Sequence, residues 1–229
     1  MVSRPLIRGN PMHPIILIRH GQAEHNLGKL TGGWSSTSLT ELGQRQVEAL
    51  ASRLRDELDV PCHLYYSDLR RAAQTAEIIA QETGLTPVPD PGLREFNNGI
   101  AADMTQAEAD QYFTPPTDPI VDWQPYPEAE TWRRFYVRIS ECMDTLPVGL
   151  DRPMVVVAHG GTIVNIIAWW LRLDIDALSY ITFRTSPASV SVLNMSDLEE
   201  RALERLNDTS HLLPLGLSPP IPLSPSSGS

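Results

Sequence analysis

Two segments of the chain consist of an apolar run that ends in histidine and glycine, PIILIRHG at residues 14–21 and PMVVVAHGG at residues 153–161. A short run of β-branched and leucine side chains predicts a strand that is buried on both faces. Such a strand fits only into the middle of a sheet that helices cover on both sides. The imidazole at the end of each run, with Arg19 beside the first, would then lie at one edge of that sheet.

The rest of the sequence alternates between strand-like and helix-like segments. Strands are predicted at residues 63–67 and 188–195, with a short extended segment and a turn in TPVPDPGLRE. Apolar residues at helical spacing predict helices after Thr40 and after Ser67 or Asp68 as N-caps, at residues 132–146, and after the second His-Gly. Pro61 and Gly84 mark the ends of the first two. This alternation predicts an α/β fold, a three-layer αβα sandwich with a mostly parallel central sheet.

Composition narrows the functional classes. A formal net charge of −10 argues against binding to nucleic acid or to an anionic membrane. The sequence contains no run of about 18 apolar residues, and its N-terminus does not resemble a signal peptide, so we expect a cytoplasmic protein. Cys62 and Cys142 lie in no Cys-x-x-Cys or Cys/His ligand spacing, which predicts ordinary buried thiols rather than a disulfide or a zinc site.

Polar residues follow three of the predicted strands, and in open α/β sheets ligands bind beyond the carboxyl ends of the strands. These residues are Arg19-His20-Gly21, Ser67 to Arg71, and His159-Gly160-Gly161. An imidazole in that position can accept a phosphoryl group as a nucleophile, if guanidinium groups and helix N-terminal N–H groups hold the phosphoryl oxygens. The three strand ends therefore predict one pocket for a phosphoester.

Five segments between residues 14 and 165 strengthen this interpretation through their order. They are RHG with an asparagine six residues past its histidine, TGGWSSTSLTELGQRQ, SDLRRAAQTA, LREFNNG and VVVAHGG. Together they resemble the histidine phosphatase superfamily, also called phosphoglycerate mutase-like, and its broad phosphatase branch in particular. One tripeptide would be weak evidence, whereas five ordered segments are specific.

The resemblance implies a role for each matching residue. His20 would be the nucleophile that becomes phosphohistidine, Arg19, Arg71 and His159 would form the phosphate pocket, and Glu95 would donate a proton to the leaving oxygen. Arg71 is chosen over Arg70 because it directly precedes the A-x-x-T-A pattern. Substrate-binding positions would be Gly21, Asn26, Thr31, Gly32 and Gly160. No metal ion and no cofactor are expected.

The domain organisation follows from the same segments. Residues 1–206 are expected to form a single histidine-phosphatase-like catalytic domain, with a small cap inserted after Glu95 at about residues 97–131. Residues 207–229 are rich in proline and serine and have no hydrophobic period, which predicts an irregular extension. The expected partners are a small-molecule phosphoester and inorganic phosphate, and the sequence is compatible with a homodimer.

Other polar residues are expected to be structural. His25 and His63 match no motif position, although His25 is near enough to His20 in sequence to touch the substrate. Arg70 and Arg138 are interpreted as solvated helix charges, as are Arg133 and Arg134. Four cap aromatics could either line the pocket or only pack the proline-rich cap, namely Tyr112, Phe113, Trp123 and Tyr126.

The sequence of the cap bears on the reaction. No lysine or arginine occurs between Glu95 and Trp132, while acidic residues are frequent there. A phosphoglycerate mutase must hold several anionic groups, so a cap without cations favours a metal-independent phosphomonoesterase that acts on a small phosphorylated metabolite. Mutase-type phosphoryl transfer and a non-catalytic module that binds a phospho-ligand stay open as alternatives.

Overall fold

A single six-stranded sheet forms the middle of the molecule in the computed structural model, which describes residues 12–28, 30–149 and 151–217. Its strands are β1 (Ile15–Arg19), β2 (His63–Tyr66), β3 (Pro87–Pro89), β4 (Met154–Ala158), β5 (Val190–Met195) and β6 (Arg201–Asp208). Their order across the sheet is β3-β2-β4-β1-β5-β6. The first four strands are parallel, and β5 and β6 are antiparallel to their neighbours.

Helices cover both faces of this sheet. They are α1 (Glu41–Glu57), α2 (Arg70–Thr83), α3 (Gln106–Ala109), α4 (Trp132–Thr145) and α5 (Gly160–Leu171). One core cluster joins α1 and α2 to the sheet, and a second cluster joins α4 and α5 to its other face. The predicted α/β sandwich with a mostly parallel sheet is confirmed.

The two central strands show why the apolar runs predicted this arrangement. Side chains alternate between the faces of a strand, so Leu17 packs with the α4–α5 cluster and Ile18 with the α1–α2 cluster. All five residues of β4 are buried. A strand of this kind exposes no face to water, and its sequence is therefore apolar throughout.

The helix starts agree with the sequence in one case and differ in another. Thr40 caps α1 as predicted, because its Oγ1 accepts a hydrogen bond from Gly43 N at 3.0 Å. Neither Ser67 nor Asp68 caps α2, which begins at Arg70 after Leu69 and has no side-chain cap. Both predicted caps have other partners, since Ser67 bonds to His159 and Asp68 pairs with Arg94.

The C-terminal part differs from the prediction of an irregular extension from residue 207. Strand β6 continues to Asp208, and the turn of 3₁₀-helix that follows buries Leu212 against the α1–α2 cluster. Arg53 of α1 pairs with the Asp208 carboxylate at 2.8 Å, and Gln46 donates a hydrogen bond to the Leu217 carbonyl at 3.1 Å. The proline- and serine-rich composition of residues 207–229 gives no sign of these contacts. Residues 218–229 of the predicted extension lie outside the described residues, as do residues 1–11.

The predicted cap consists of short helical turns rather than a layer of its own. It is held to the loop that follows β1 by hydrogen bonds from Thr31 N to the Met104 carbonyl, at 2.8 Å, and from Ser36 N to the Asp103 carboxylate, at 2.9 Å. Cys62 and Cys142 are buried and unpaired thiols, as expected. Within the described ranges, none of the helices has the length and apolar character needed to span a bilayer.

The C-terminal contact with α1 can be tested by truncating one leucine. Leu212 is fully buried, so Leu212→Ala should lower the free energy of unfolding by about 2–5 kcal/mol, as measured by urea denaturation. Leu213 lies in the same turn but is 66% exposed, and Leu213→Ala should change that free energy by less than about 0.5 kcal/mol. An effect of Leu212→Ala as small as that expected for Leu213→Ala would show that this contact does not stabilise the fold.

Candidate active site

The pairing of β1 with β4 brings the two predicted histidines together. Arg19 lies opposite Ala158 in the parallel register, and His20 N donates a hydrogen bond to the Ala158 carbonyl at 3.0 Å. The following residues, His20 and His159, therefore leave the sheet side by side, with their ring centroids 5.1 Å apart. Both side chains are buried.

The His20 ring is held in one orientation and one protonation state. Its Nδ1 lies 2.7 Å from the Gly21 carbonyl oxygen, which can only accept, so Nδ1 carries the proton. Arg71 Nε lies 3.3 Å from the other nitrogen, Nε2, and donates to it. Burial, followed by the charges of Arg71 and Arg19, lowers the pKa of His20 well below 6.5. At neutral pH the imidazole is uncharged and has its lone pair on Nε2, as a nucleophile requires.

Arg71 is a fixed cation next to that lone pair. Its guanidinium is buried and donates to the carbonyl of Gly33 at 2.7 Å and to that of Ser35 at 3.2 Å. Gly33 has a φ of 68°, in the left-handed region that favours glycine, and a Cβ there would overlap the Asn98 side chain. Burial lowers the pKa of Arg71 to about 10, so the side chain stays charged at neutral pH.

Arg19 is the second cation of the cluster. One of its Nη atoms donates to the Thr185 carbonyl, while its Nε is buried without a hydrogen-bond partner in the described part of the chain. The first residue of α5, Gly160, lies against this guanidinium, since a Cβ added there would be 3.6 Å from Arg19 Cζ. The unpaired N–H of Arg19 and the N-terminus of α5 can both donate to an anion in this place.

Glu95 lies next to these cations. Its carboxylate accepts hydrogen bonds from Phe96 N at 2.8 Å and from Gly161 N at 2.9 Å, and its charge acts on both Arg19 and Arg71. A Cβ at position 161 would overlap the Glu95 carboxylate, so a larger residue there would displace that carboxylate. The structure thus brings all five predicted catalytic residues to one place.

Arg138 holds the loop that carries Glu95, and the prediction that it is a solvated helix charge is wrong. It donates to the Arg94 carbonyl at 3.1 Å and to the Glu95 carbonyl at 3.0 Å, and it forms an ion pair with Glu130 at 2.7 Å. Trp34 Nε1 also donates to the Glu95 carbonyl, at 2.7 Å. The sequence around Arg138 gives no sign of these contacts, because the carbonyl groups that Arg138 binds belong to residues distant in sequence.

His25 is also closer to the site than the sequence indicated. Its ring centroid lies 5.7 Å from that of His20, and its Nδ1 is 3.0 Å from Thr37 Oγ1. Burial, followed by the charges of Arg71 and Arg19, lowers its pKa from 6.5 to about 4. The position of His25 one residue before Asn26 was the only sequence signal for this placement.

The predicted substrate-binding residues divide into two groups. Asn26 and Gly32 both lie next to the His25 ring. Asn26 Nδ2 is 3.1 Å from His25 Nε2, and Gly32 packs closely against the ring. Gly160 lies beside Arg19, as described above. Thr31 instead bonds to the Ala101 carbonyl and to Asn98, so it connects the cap to the loop after β1.

Gly21 belongs to the second group, because the contacts that it makes are with other parts of the protein. A Cβ at Gly21 would lie 2.5 Å from the Gly43 carbonyl oxygen of α1. The glycine therefore lets α1 approach the end of β1, and its own carbonyl orients His20. Within residues 12–28, 30–149 and 151–217, no three His, Cys, Asp or Glu side chains are arranged to share a metal ion.

A groove of about 530 Å³ leads away from Arg19 and the N-terminus of α5. Its walls are mainly apolar and come from the cap, from α4 and α5, and from the segment before β5, with Val121, Trp132, Val164, Leu178, Ile181 and Phe183 among them. Arg184 also lines it. The cap aromatics pack on one another instead, Phe113 against both Trp123 and Tyr126, and none of the four lines the groove.

Comparison with known proteins identifies the family of the chain. The model of the histidine phosphatase superfamily (branch 1) matches residues 15–209. The chain belongs to this superfamily. A probable phosphoglycerate mutase GpmB of Yersinia pestis (strain Pestoides F) is 32% identical to this chain over 213 residues, which cover 88% of this chain and 95% of the relative.

Solved histidine phosphatases have the same fold. A mycobacterial glucosyl-3-phosphoglycerate phosphatase in complex with VO3 is 30% identical and superimposes with a TM-score of 0.69 over 85% of this chain and 99% of its own. The alpha-ribazole phosphatase from Shigella flexneri is 22% identical, with a TM-score of 0.71 over 86% and 96% of the two chains, and supports the fold alone. The family match, the probable phosphoglycerate mutase and the glucosyl-3-phosphoglycerate phosphatase support a phosphatase or phosphoryl-transfer enzyme that binds a small phosphoester.

The lowered histidine pKa values predict how stability depends on pH. Below pH 6.5 the unfolded chain binds protons at His20 and His159 that the folded chain does not bind, so the free energy of unfolding should fall as the pH is lowered from 7.5 to 5.5. Each group contributes a slope of up to about 1.4 kcal/mol per pH unit. His20→Gln and His159→Gln should each flatten the profile measured by urea denaturation. A profile that neither substitution alters would contradict the assigned neutral state.

Proposed function

We propose that the protein is a metal-independent phosphomonoesterase that works through a phosphohistidine on His20. The observation that carries this proposal is the His20 ring, which is neutral, has its Nδ1–H bonded to the Gly21 carbonyl and keeps its Nε2 lone pair beside Arg71. In the first step Nε2 gives up the hydrogen bond from Arg71 Nε and attacks phosphorus, and the bond between phosphorus and the leaving oxygen breaks. In the second, water attacks the same phosphorus, the N–P bond breaks, and inorganic phosphate leaves.

Glu95 is proposed to move the proton in both steps. In its protonated form it donates to the leaving oxygen, because an alkoxide is a poor leaving group. The resulting carboxylate then removes a proton from the attacking water, which restores the starting state. The hydrogen bonds from Phe96 N and Gly161 N hold the carboxyl group in place, and Gly161 also lines the groove in which we propose that the leaving group lies.

The phosphoryl group would be held by fixed positive charge. Arg71, Arg19 and the N-terminus of α5 surround His20, and electrostatic stabilisation of the three equatorial oxygens is the main contribution a protein makes to phosphoryl transfer. The guanidinium groups of both arginines donate hydrogen bonds to backbone carbonyls, which hold them in place before any ligand arrives. Little reorganisation is then required when the charge develops.

The groove is proposed to bind the leaving group of a small phosphorylated metabolite. Apolar side chains from four parts of the chain line it, and no lysine or arginine occurs in the sequence between Glu95 and Trp132. This environment favours a leaving group with an apolar part over one with several anionic groups.

Phosphoglycerate mutase activity is the second candidate. The relatives named as probable phosphoglycerate mutases favour it, and Arg184 in the groove could bind a carboxylate. Interconversion of 2- and 3-phosphoglycerate with little release of phosphate would identify it. Stoichiometric binding of phosphoesters without any turnover would instead indicate a binding module. The cytoplasmic location and the homodimer remain predictions.

The nucleophile can be tested by phosphate release from p-nitrophenyl phosphate in excess EDTA. We expect His20→Ala to lower kcat/KM for this substrate by about 10³-fold or more. Glu95→Gln is measured on a substrate with an alkoxide leaving group, and it should lower kcat/KM there by about 10²–10⁴-fold. His63→Ala is the matched control, because His63 contacts Asp151 at 2.9 Å outside the cluster and should leave the rate unchanged. Full activity in folded His20→Ala protein would exclude the mechanism.

The role of the groove can be tested at Ile181, which lines it and is 42% exposed. Ile181→Ser should lower kcat/KM for naphthyl phosphate by about 3–10-fold, because apolar contact with the leaving group is lost. The same variant should leave kcat/KM for glycerol phosphate within about twofold, since glycerol makes little apolar contact. Leu215→Ser, at a leucine that is 56% exposed and outside the groove, should change neither substrate. Equal losses for both substrates would place the leaving group elsewhere.

A further inference from the structure

Ser67 contacts His159 from beneath the site. It follows β2, the strand that pairs with β4, and its backbone N–H donates to the Val157 carbonyl at 3.0 Å. Ser67 and His159 are both completely buried, and Ser67 Oγ lies 2.7 Å from His159 Nε2. The proposed mechanism gives Ser67 no role, and its side chain does not cap the N-terminus of α2.

The hydrogen atoms at this contact can be assigned by counting donors and acceptors. The Leu69 N–H also points to Ser67 Oγ, at 3.4 Å, and it can only donate. Among the described residues, the acceptor within reach of the Ser67 hydroxyl hydrogen is therefore His159 Nε2. A nitrogen that accepts this hydrogen bond carries no proton of its own.

The protonation state of His159 completes the assignment. Burial, followed by the charge of Arg71, lowers its pKa well below 6.5, so the ring is neutral and carries one proton. With Nε2 unprotonated, that proton lies on Nδ1. Nδ1 is buried and has no hydrogen-bond partner in the described part of the chain. A buried donor without a partner costs about 1–3 kcal/mol, which indicates that a ligand satisfies it.

We propose that Ser67 is a positioning residue, which fixes the Nδ1–H tautomer of His159 so that Nδ1 donates a hydrogen bond to an oxygen of the phosphoryl group. The proposal deepens the function proposed above, because it assumes that the ligand is a phosphoester or phosphate. The two neighbouring rings then present opposite groups to the ligand. His20 offers a lone pair to phosphorus, and His159 offers an N–H to oxygen.

The alternative tautomer would oppose binding. A neutral His159 with its proton on Nε2 would turn the lone pair of Nδ1 toward the ligand, and a lone pair repels a phosphoryl oxygen. It would also leave the buried Ser67 hydroxyl hydrogen without an acceptor in the described part of the chain. The hydrogen bond of one ring nitrogen thus sets what the other can do.

The tautomer can be measured directly by NMR of protein with ¹⁵N-labelled histidine side chains at pH 7.5. The His159 signals are assigned by their loss in His159→Gln. In the wild-type protein without ligand we expect a protonated Nδ1 and an unprotonated Nε2. Ser67→Ala should lose this pattern, and Ser67→Thr, which keeps the hydroxyl, should retain it. Ser140→Ala removes another buried hydroxyl, which has no partner among the described residues, and should leave the pattern unchanged.

Calorimetry with inorganic phosphate gives an independent measurement on the same variants. Removal of one preorganised donor should weaken phosphate binding by about 10–100-fold in Ser67→Ala, with recovery in Ser67→Thr and no change in Ser140→Ala. A wild-type His159 protonated on Nε2 would overturn the proposal. So would a Ser67→Ala protein that is folded and keeps both the wild-type tautomer and the wild-type phosphate affinity.

These measurements separate the role of Ser67 from the proposed function. If wild-type protein has the Nδ1–H tautomer and binds phosphate but hydrolyses no ester, the phosphomonoesterase proposal fails while the role of Ser67 stands. If it hydrolyses esters through His20 but His159 carries its proton on Nε2, only the role of Ser67 fails.

Discussion

The register between β1 and β4 is the constraint on which the site depends. Arg19 pairs with Ala158, so the next residue on each strand is a histidine and the two imidazoles leave the sheet at the same level. A shift of one residue would turn the side chains of β1 to the opposite face. Both faces are buried in separate clusters, and the packing of Leu17 and Ile18 therefore prevents such a shift. The apolar halves of these strands fix the positions of their polar ends.

The electrostatics of the site follow from burying cations next to imidazoles. Water cannot stabilise charge there, and two arginines already occupy the space, so both histidines are kept neutral. The arginines keep their charge because the guanidinium group is a very weak acid. The result is a cavity that attracts an anion within a chain whose net charge is −10. An anionic ligand would supply the countercharge that the folded chain provides only in part, through Glu95.

The sequence predicted those parts of the structure that depend on local pattern. The central strands, the main helices and the convergence of His20, His159 and Arg71 follow from apolar runs, spacing and the rule about strand ends. The contacts of Arg138 could not be predicted, because its partners are backbone carbonyls brought near only by folding. Strand β6 was missed because it is an edge strand with charged residues, which leaves a weak alternating pattern. The placement of His25 likewise depends on the loop after β1.

The segment before β5 both lines the groove and holds Arg19. Residues 178–185 form a wall of the groove, and the Thr185 carbonyl at the end of this segment also accepts the hydrogen bond that holds Arg19. Sequence changes there that adapt the wall to a new substrate would move the arginine as well, so divergence at this wall is costly to evolve. The part of the wall at Ile120 and Val121 in the cap has no such hydrogen bond to the arginines among the described residues. New substrate preferences would therefore arise more readily by drift in the cap, while the older chemistry stays intact.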